Sequence, residues 1–304
     1  MDEPKQISPD FRSGYVALIG EPNVGKSTLL NSVLGQKISI VTPKPQTTRH
    51  KLLGILSTDE FQIVFLDTPG IILARYALQE AMMQSAASAL AEADVILFLV
   101  DASRRPGSSD DSSEALKRLA GVNLPIYLAL NKCDLVAPAA LAPVRDFYAA
   151  RLSFKKLFMI SALKSEGTGD LVEALSGELP VHPPYYPPDQ ISSHHQRFFV
   201  AEMIREQIFL KTHEEIPYST TVDIVDFKER DSGKWFISAD VYVERDSQKG
   251  ILIGKKGAML KNIGGLARKE IEKFVEHPVF LDLHVKVREH WREKPEWLKR
   301  LGYQ

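Results

Sequence analysis

A short stretch near the start of the chain has the residue types and spacing that bind phosphate. Gly20-Glu21-Pro22-Asn23-Val24-Gly25-Lys26-Ser27 fits the pattern of a glycine, four residues, and then Gly-Lys-Ser. The loop's N–H groups and the N-terminus of a following helix can then face phosphate oxygens. We expect Lys26 to reach the β- and γ-phosphates and the Ser27 hydroxyl to ligate Mg²⁺. The phosphate contacts are predicted at Gly20, Asn23, Gly25, Lys26, Ser27 and Thr28.

A second motif, Asp67-Thr68-Pro69-Gly70, follows an apolar run at residues 61–66. A carboxylate at Asp67 can hold Mg²⁺ through a bound water, and the Gly70 N–H can contact a γ-phosphate. Between the two motifs, residues 42–49 show no apolar periodicity, which predicts a loop able to fold over a nucleotide. Thr48 is our choice for the second Mg²⁺-ligating hydroxyl, with Thr47 the next choice. The predicted metal set is therefore Ser27, Thr48 and Asp67.

A third motif, Asn131-Lys132-Cys133-Asp134, follows the apolar run 125–130. A carboxylate at Asp134 can accept two hydrogen bonds from adjacent donors, which guanine offers on N1 and N2 and adenine lacks. A carboxylate left without partners by the wrong base costs several kcal/mol, by order of magnitude, so the site would reject ATP. After the last apolar run, Ser161 could support Asp134, and the Ala162 N–H could face the guanine carbonyl. Asn131 and Lys132 complete the predicted base site.

Short apolar runs alternate with amphipathic stretches from residue 15 to about residue 175. The runs 95–100 and 126–130 are apolar throughout, which is typical of strands covered on both faces of a parallel sheet. This alternation predicts a doubly wound α/β domain whose ligand lies beyond the C-terminal ends of the strands. The phosphate loop, Asp67, Asn131 and Ser161 would then meet at one edge.

A proline-rich stretch at residues 178–192 divides the chain. Its composition predicts an extended, stiff linker. We therefore predict an N-terminal tail at 1–13, an α/β domain at 14–177, the linker at 178–192, and a smaller α+β domain at 193–304.

The smaller domain has the predicted order helix, strand, strand, helix, helix, strand, with Gly254-Lys255-Lys256-Gly257 between its paired helices. Glycines let a nucleic-acid backbone come close, and lysines at a helix N-terminus attract its phosphates. The order resembles the type II KH fold, whose GxxG loop clamps about four nucleotides of single-stranded nucleic acid. We predict RNA contacts at Ile253, Gly254, Lys255, Lys256, Gly257 and Lys261.

Composition sets further limits on function. The chain has 304 residues, 44% of them hydrophobic, a net charge of −1 and a single cysteine. These values, with no long apolar run and no signal-like start, predict a cytoplasmic protein without disulfides. Residues 245–300 nevertheless hold 14 Lys plus Arg against 8 Asp plus Glu. This local excess indicates a polyanion partner, although a solvated basic helix face would give the same count.

The three motifs, together with a fourth at Ser161-Ala162-Leu163-Lys164, resemble those of translation-factor-related GTPases, and the basic KH-like domain narrows the resemblance to the Era family of ribosome-associated GTPases. The segment Gln46-Thr47-Thr48-Arg49-His50 and the KH-like domain are its most specific parts. The resemblance implies slow Mg²⁺-dependent hydrolysis of GTP to GDP, binding to the single-stranded 3′ end of small-subunit (16S) ribosomal RNA, and a role in small-subunit assembly. We also expect a monomer with no DNA partner, partly peripheral at the inner face of the cell membrane.

Two positions qualify the resemblance. Ile71 stands where Ras-like GTPases carry a water-orienting glutamine, and an isoleucine cannot orient water. Relatives with an asparagine at the position of Asn23 can bind K⁺ beside the phosphates, although asparagine also suits a turn. Lys26, Asn23, Thr48 and Gly70 are the predicted catalytic residues. The alternative is a constitutive RNA-binding assembly chaperone with a structural nucleotide and negligible turnover.

Overall fold

The computed structural model describes residues 8–303, which fall into two compact units. The first seven residues of the predicted tail lie outside the described part of the chain. The first unit takes in residues up to 39, residues 48–75 and residues 82–193. The second takes in residues 40–47, 76–81 and 194–304, so two short stretches of the predicted α/β domain group with the later part of the chain.

The first unit is built on a six-stranded sheet in the order β2-β3-β1-β4-β5-β6. Strand β2 is antiparallel to β3, and the other neighbours are parallel. Every residue of β4 and β5 is buried, as the apolar runs predict. The elements are β1 (Arg12–Ile19), α1 (Lys26–Leu34), β2 (Leu52–Ser57), β3 (Phe61–Asp67), α2 (Ala77–Glu92), β4 (Val95–Asp101), α3 (Asp110–Leu119), β5 (Ile126–Asn131), α4 (Leu141–Ala149), β6 (Lys156–Met159) and α5 (Thr168–Glu178).

Strand β1 begins at Arg12, inside the predicted tail. Arg12 pairs with Val181 in an isolated antiparallel bridge, and its guanidinium donates to the Leu179 carbonyl at 2.6 Å. Arg12 and Ser13 also pair with Phe61 and Gln62 of β3, so β3 on one side and the proline-rich segment on the other extend the strand into the predicted tail.

The proline-rich segment is bound along the first unit rather than free of it. The buried Gln62 side chain accepts from the N–H groups of Tyr185 and Tyr186 and donates to the Tyr186 carbonyl. Further along, the Ile55 N–H donates to the Ile191 carbonyl at 2.8 Å. The proline-rich segment is therefore held in a defined register against β2 and β3.

The second unit contains a three-stranded sheet in the order β7-β8-β9. Strands β7 and β8 are antiparallel, β8 and β9 are parallel, and β9 lies at an edge. Helix α6 packs against α9 and β7. The elements are α6 (Gln196–Lys211), α7 (Ile216–Ser219), β7 (Thr221–Lys228), β8 (Trp235–Val243), α8 (Asp246–Ile253), α9 (Ala258–Phe274), β9 (Val279–Val287) and α10 (Pro295–Arg300).

Candidate functional site

The predicted phosphate loop lies between β1 and α1, as its flanks indicate. Lys26 is buried, and its ammonium donates to the carbonyls of Gly20 and Glu21 at 3.0 Å each. Gly25 has a φ of 102°, and a Cβ there would lie 2.2 Å from the Asn131 side-chain nitrogen. Only glycine allows both this backbone conformation and this close approach.

Burial shifts the pKa values of two groups at this site, Lys26 in the loop and Asp67 at the end of β3. Desolvation lowers the pKa of Lys26 to about 8, although the Asp67 and Glu21 carboxylates oppose that shift. Desolvation likewise raises the pKa of Asp67 against the effects of Lys26, Ser27 and Ser39. A polyanion beside Lys26 would favour its charged form again. Below pH 8 Lys26 is already mostly charged, so the loop takes up a proton on binding phosphates only above that pH.

The three predicted metal ligands meet in the first unit. The Ser27 hydroxyl lies 2.9 Å from the Thr48 hydroxyl and 2.8 Å from Asp67 Oδ2. Asp67 is completely buried, and its Oδ1 has no hydrogen-bond partner among residues 8–303. A hard cation such as Mg²⁺ takes oxygen ligands of this kind. The donor set fits Mg²⁺, which when bound would neutralise charge developing on the phosphates.

Ser39 is a member of this cluster that sequence reasoning missed. Its hydroxyl donates to Asp67 Oδ2 at 3.0 Å. The Asn31 side chain places it by accepting from the N–H groups of Ile38 and Ser39 and donating to the Ser39 carbonyl. The predicted loop 42–49 begins only after Ser39, and no local pattern marks this serine.

The predicted base-binding residues line one cavity of about 160 Å³. The buried Asn131 side chain connects two walls of this cavity. Its amide donates to the Val24 carbonyl at 2.7 Å and accepts from the Ala162 N–H at 2.9 Å. The Ala162 N–H, which we expected to face a guanine carbonyl, is thus engaged by Asn131 here. The lining comprises Gly25, Thr28, Asn131, Lys132, Asp134, Leu135, Ser161, Ala162 and Leu163.

Gly70 and the isoleucines after it lie against the phosphate loop and the core. A Cβ at Gly70 would meet the Pro22 backbone nitrogen at 2.6 Å, and the Ile71 N–H donates to the Gly20 carbonyl at 3.0 Å. The side chains of Ile71 and Ile72 are buried. Neither of them has the polar group or the exposure needed to hold an attacking water.

Asn23 has a left-handed backbone conformation, with a φ of 65°. Asparagine tolerates this conformation better than most residues do. The turn geometry alone is therefore a sufficient reason for an asparagine at this position, and its predicted role toward K⁺ stays a prediction.

The Gly254–Gly257 loop of the second unit also depends on positive φ angles. Gly254, Lys256 and Gly257 have φ values of 72°, 52° and 78°. The Lys255 and Lys256 side chains are exposed, and α9 begins directly after Gly257. The predicted lysines therefore lie at the N-terminus of a 17-residue helix, where the helix dipole favours anions.

A groove of about 450 Å³ starts at this loop and runs between α9 and the edge strand β9. Sequence reasoning found Gly257 and Lys261 in it but missed the remaining lining. A glycine pair inside a helix, Gly264-Gly265, is the signal that could have indicated the groove, because glycine destabilises helix interiors. The additional residues are Leu260, Gly264, Gly265, Arg268, Phe280, Leu281 and Leu283.

Within residues 8–303, no helix has the length and apolar character required to cross a membrane.

Two family models match the two sites. The model described as 50S ribosome-binding GTPase matches residues 15–132, which include the phosphate loop, Asp67 and Asn131. The KH domain model matches residues 215–292, which include the Gly254–Gly257 loop and the groove.

Similar proteins cover almost the whole chain. GTPase Era of Geotalea uraniireducens is 49% identical over 97% of this chain and 98% of its own length. The chloroplastic GTPase ERA1 of Zea mays is 44% identical over 98% of this chain and 72% of its own length.

Two solved structures of Era share the fold. The crystal structure of Era in complex with MgGDPNP and nucleotides 1506-1542 of 16S ribosomal RNA has a TM-score of 0.91 and 39% identity, over 96% of this chain and 99% of that one. A single-residue variant of Aquifex aeolicus Era bound to GDP.AlF4- has a TM-score of 0.90 and 40% identity, with the same coverage. The motifs, the two units and the relatives agree, and the chain belongs to the Era family of GTPases.

Proposed function

We propose that this GTPase binds the single-stranded 3′ end of small-subunit ribosomal RNA in the groove between α9 and β9 and acts in assembly of that subunit. One observation carries the proposal: the groove opens at a Gly-Lys-Lys-Gly loop whose lysines are exposed at a helix N-terminus. A solved relative at 39% identity is in complex with nucleotides from 16S ribosomal RNA and with a GTP analogue. Glycines and cations at this point suit a nucleic-acid backbone.

Hydrolysis follows from the groups of the first unit. Lys26 and the loop N–H groups stabilise charge that develops on the γ-phosphate. Ser27, Thr48 and Asp67 would hold the Mg²⁺. Since the side chains at 71 and 72 are buried, the chain itself offers no water-orienting side chain there, and slow turnover in isolation follows. The γ-phosphate would order residues 43–50 and 70–77, and this ordering would shift the KH-like part between conformations.

Single-turnover GTP hydrolysis, measured with and without an RNA oligonucleotide of the 3′ end of small-subunit rRNA, tests the proposal. We expect tight RNA binding in the GTP-analogue state and a changed hydrolysis rate when RNA is present. A scrambled oligonucleotide is the control. Equal binding of both oligonucleotides would contradict the proposed RNA target, whereas binding of the specific RNA with no turnover under any condition would favour the constitutive chaperone.

The role of Asn23 toward K⁺ is a separate proposal. A monovalent cation beside the phosphates would supply the positive charge that an arginine supplies in other GTPases. Hydrolysis rates in K⁺ and in Na⁺, for the wild type and for Asn23→Ser, measure this role. Equal rates in the two salts would contradict it. Peripheral membrane association and a monomeric state also remain predictions, for which vesicle sedimentation and light scattering are the measurements.

A further inference from the structure

Residues 40–47 end at a peptide bond to a residue of the Mg²⁺ cluster. They group with residues 194–304 in the second unit, whereas the next residue, Thr48, belongs to the first. The Thr48 hydroxyl lies 2.9 Å from Ser27 in the Mg²⁺ cluster. Whatever fixes the end of segment 40–47 therefore acts one peptide bond away from a metal-ligating hydroxyl.

Helix α6 holds segment 40–47 at three points. Arg205 Nη2 donates to the Thr47 carbonyl at 2.5 Å, and Glu206 accepts from the Val41 N–H at 3.0 Å. The Lys44 ammonium donates to the carbonyls of Phe209 and Thr212, at the C-terminal end of the same helix. A cation at a helix C-terminus interacts favourably with the exposed carbonyls and the helix dipole.

The Arg205 side chain is buried and held by several contacts, which is unusual for a charged residue. It is 1% exposed, and its guanidinium is paired with the Glu202 carboxylate at 2.8 and 2.5 Å. The Phe209 ring lies 5.2 Å from its Cζ. Its Nη1 is buried and has no hydrogen-bond partner in the described part of the chain. Burying a cation with an unused donor costs folding free energy. An apolar residue would fill this space at less cost, so packing alone does not explain an arginine here.

A hydrogen bond to the Thr47 carbonyl oxygen can orient Thr48. The carbonyl oxygen of Thr47 and the Cα of Thr48 lie in one rigid peptide plane. Holding the oxygen restricts the rotation of that plane, and thereby the range of positions from which the Thr48 side chain can project. A planar guanidinium fork with one edge on Glu202 supplies that fixed donor, which a flexible ammonium does not.

We propose that Arg205 is a positioning residue for GTP hydrolysis, which orients the Thr48 hydroxyl toward the Mg²⁺ site by fixing the Thr47 carbonyl. Lys44 and Glu206 assist it by anchoring the earlier part of the segment. Arg205 touches neither nucleotide nor metal in this scheme. The inference depends on the GTPase activity of the family and is independent of any RNA partner.

Arg205→Met and Arg205→Lys test the proposal, with Arg197→Met as a matched control because Arg197 is an exposed arginine on the same helix. The measurements are kcat, the Mg²⁺ concentration for half-maximal rate, and GDP affinity, all without RNA. We expect Arg205→Met to lower kcat by about tenfold or more, since small misplacement of reacting groups is costly, and to raise the Mg²⁺ requirement. GDP affinity should stay within about twofold of wild type, because GDP binding does not need the γ-phosphate-sensing threonine.

Arg205→Lys keeps the charge and should recover only part of the rate. A folded Arg205→Met protein with wild-type kcat and Mg²⁺ requirement would overturn the proposal, as would equal losses of GDP affinity and kcat. If Arg205→Met fails to fold, Lys44→Met and Glu206→Gln decide instead. Each should lower kcat by about twofold to fivefold with a raised Mg²⁺ requirement, and unchanged kinetics in both would overturn the proposal.

Discussion

Several charged and polar groups of the nucleotide site are buried, whereas the lysines of the loop at the groove are exposed. Lys26, Asp67 and Asn131 are 6%, 0% and 2% exposed, while Lys255 and Lys256 both face solvent. A buried polar group that finds no hydrogen-bond partner on the ligand costs binding free energy. Buried groups therefore discriminate between ligands. Exposed cations attract any polyanion and are screened by salt. The nucleotide site should therefore be selective and weakly salt-dependent, and the groove should be permissive and strongly salt-dependent.

The largest expected effect is on base discrimination. Asp134→Asn replaces one carboxylate acceptor by a donor, which would face a donor of guanine. We expect GTP affinity to fall on the order of a hundredfold to a thousandfold, from the loss of two hydrogen bonds to a charged group. Competition with a fluorescent GDP analogue measures the change. RNA binding through the second unit should be unchanged, and a parallel loss of RNA affinity in the nucleotide-free protein would break the separation between the sites.

The next effect is a pH dependence of nucleotide binding. The Lys26 pKa of about 8 in the free protein should rise when a polyphosphate is bound, so binding takes up a proton above pH 8. Affinity for GDP without Mg²⁺ should therefore be level below about pH 7 and fall by up to about tenfold per pH unit above pH 8. Calorimetry in two buffers of different ionisation enthalpy counts the protons.

Guanosine is the control for this pH dependence, because it has no phosphates to act on Lys26. It should bind with no such proton uptake. Uptake by both ligands would assign the titration to another group, and uptake by neither would contradict the predicted titration of Lys26.

A smaller effect is expected from the exposed lysines of the groove. Replacing Lys255 and Lys256 by serine should weaken RNA binding and reduce the slope of log K against log salt by about 1.4, which is about 0.7 per lost phosphate contact on a single strand. The control pair Lys269→Ser and Lys273→Ser removes the same charge from farther along α9. Equal slopes in the two double variants would show a diffuse charge effect instead of contacts at the loop.

The smallest effect concerns the glycine pair in α9. A Cβ at Gly264 would lie 3.3 Å from Leu283, whereas a Cβ at Gly265 would meet nothing within 4 Å. Gly265→Ala should therefore stabilise the protein, by up to about 1 kcal/mol from helix propensity, while it narrows the groove and weakens RNA binding a few-fold. Gly264→Ala is the matched variant, with a smaller gain in Tm. Unchanged RNA affinity for Gly265→Ala would place the RNA elsewhere.

The sequence motifs predicted the nucleotide-site residues that end strands or form the phosphate loop. Lys26, Asp67 and Asn131 belong to compact motifs whose spacing follows from local geometry, and the α/β alternation places them at one sheet edge. The KH-like order of elements could likewise be predicted, because the spacing of apolar residues differs between helices and strands.

Residues that act through distant contacts could not be predicted in this way. Arg205 and Thr47 are 158 positions apart, and no local period marks a buried arginine on a helix. Ser39 depends on the Asn31 side chain, and the groove depends on packing of α9 beside an edge strand. The predicted domains are contiguous stretches of sequence, so they could not group residues 40–47 with residues 194–304.

The proline-rich segment has a consequence for proteolysis. Proteases bind their substrates as extended strands with free backbone groups, and here Gln62 and the Ile55 N–H already engage the backbone at residues 185, 186 and 191. Cleavage within 178–192 therefore requires the segment to detach first. The rate of nicking would therefore report the free energy needed to detach this segment, although its composition alone would predict an easily cleaved linker.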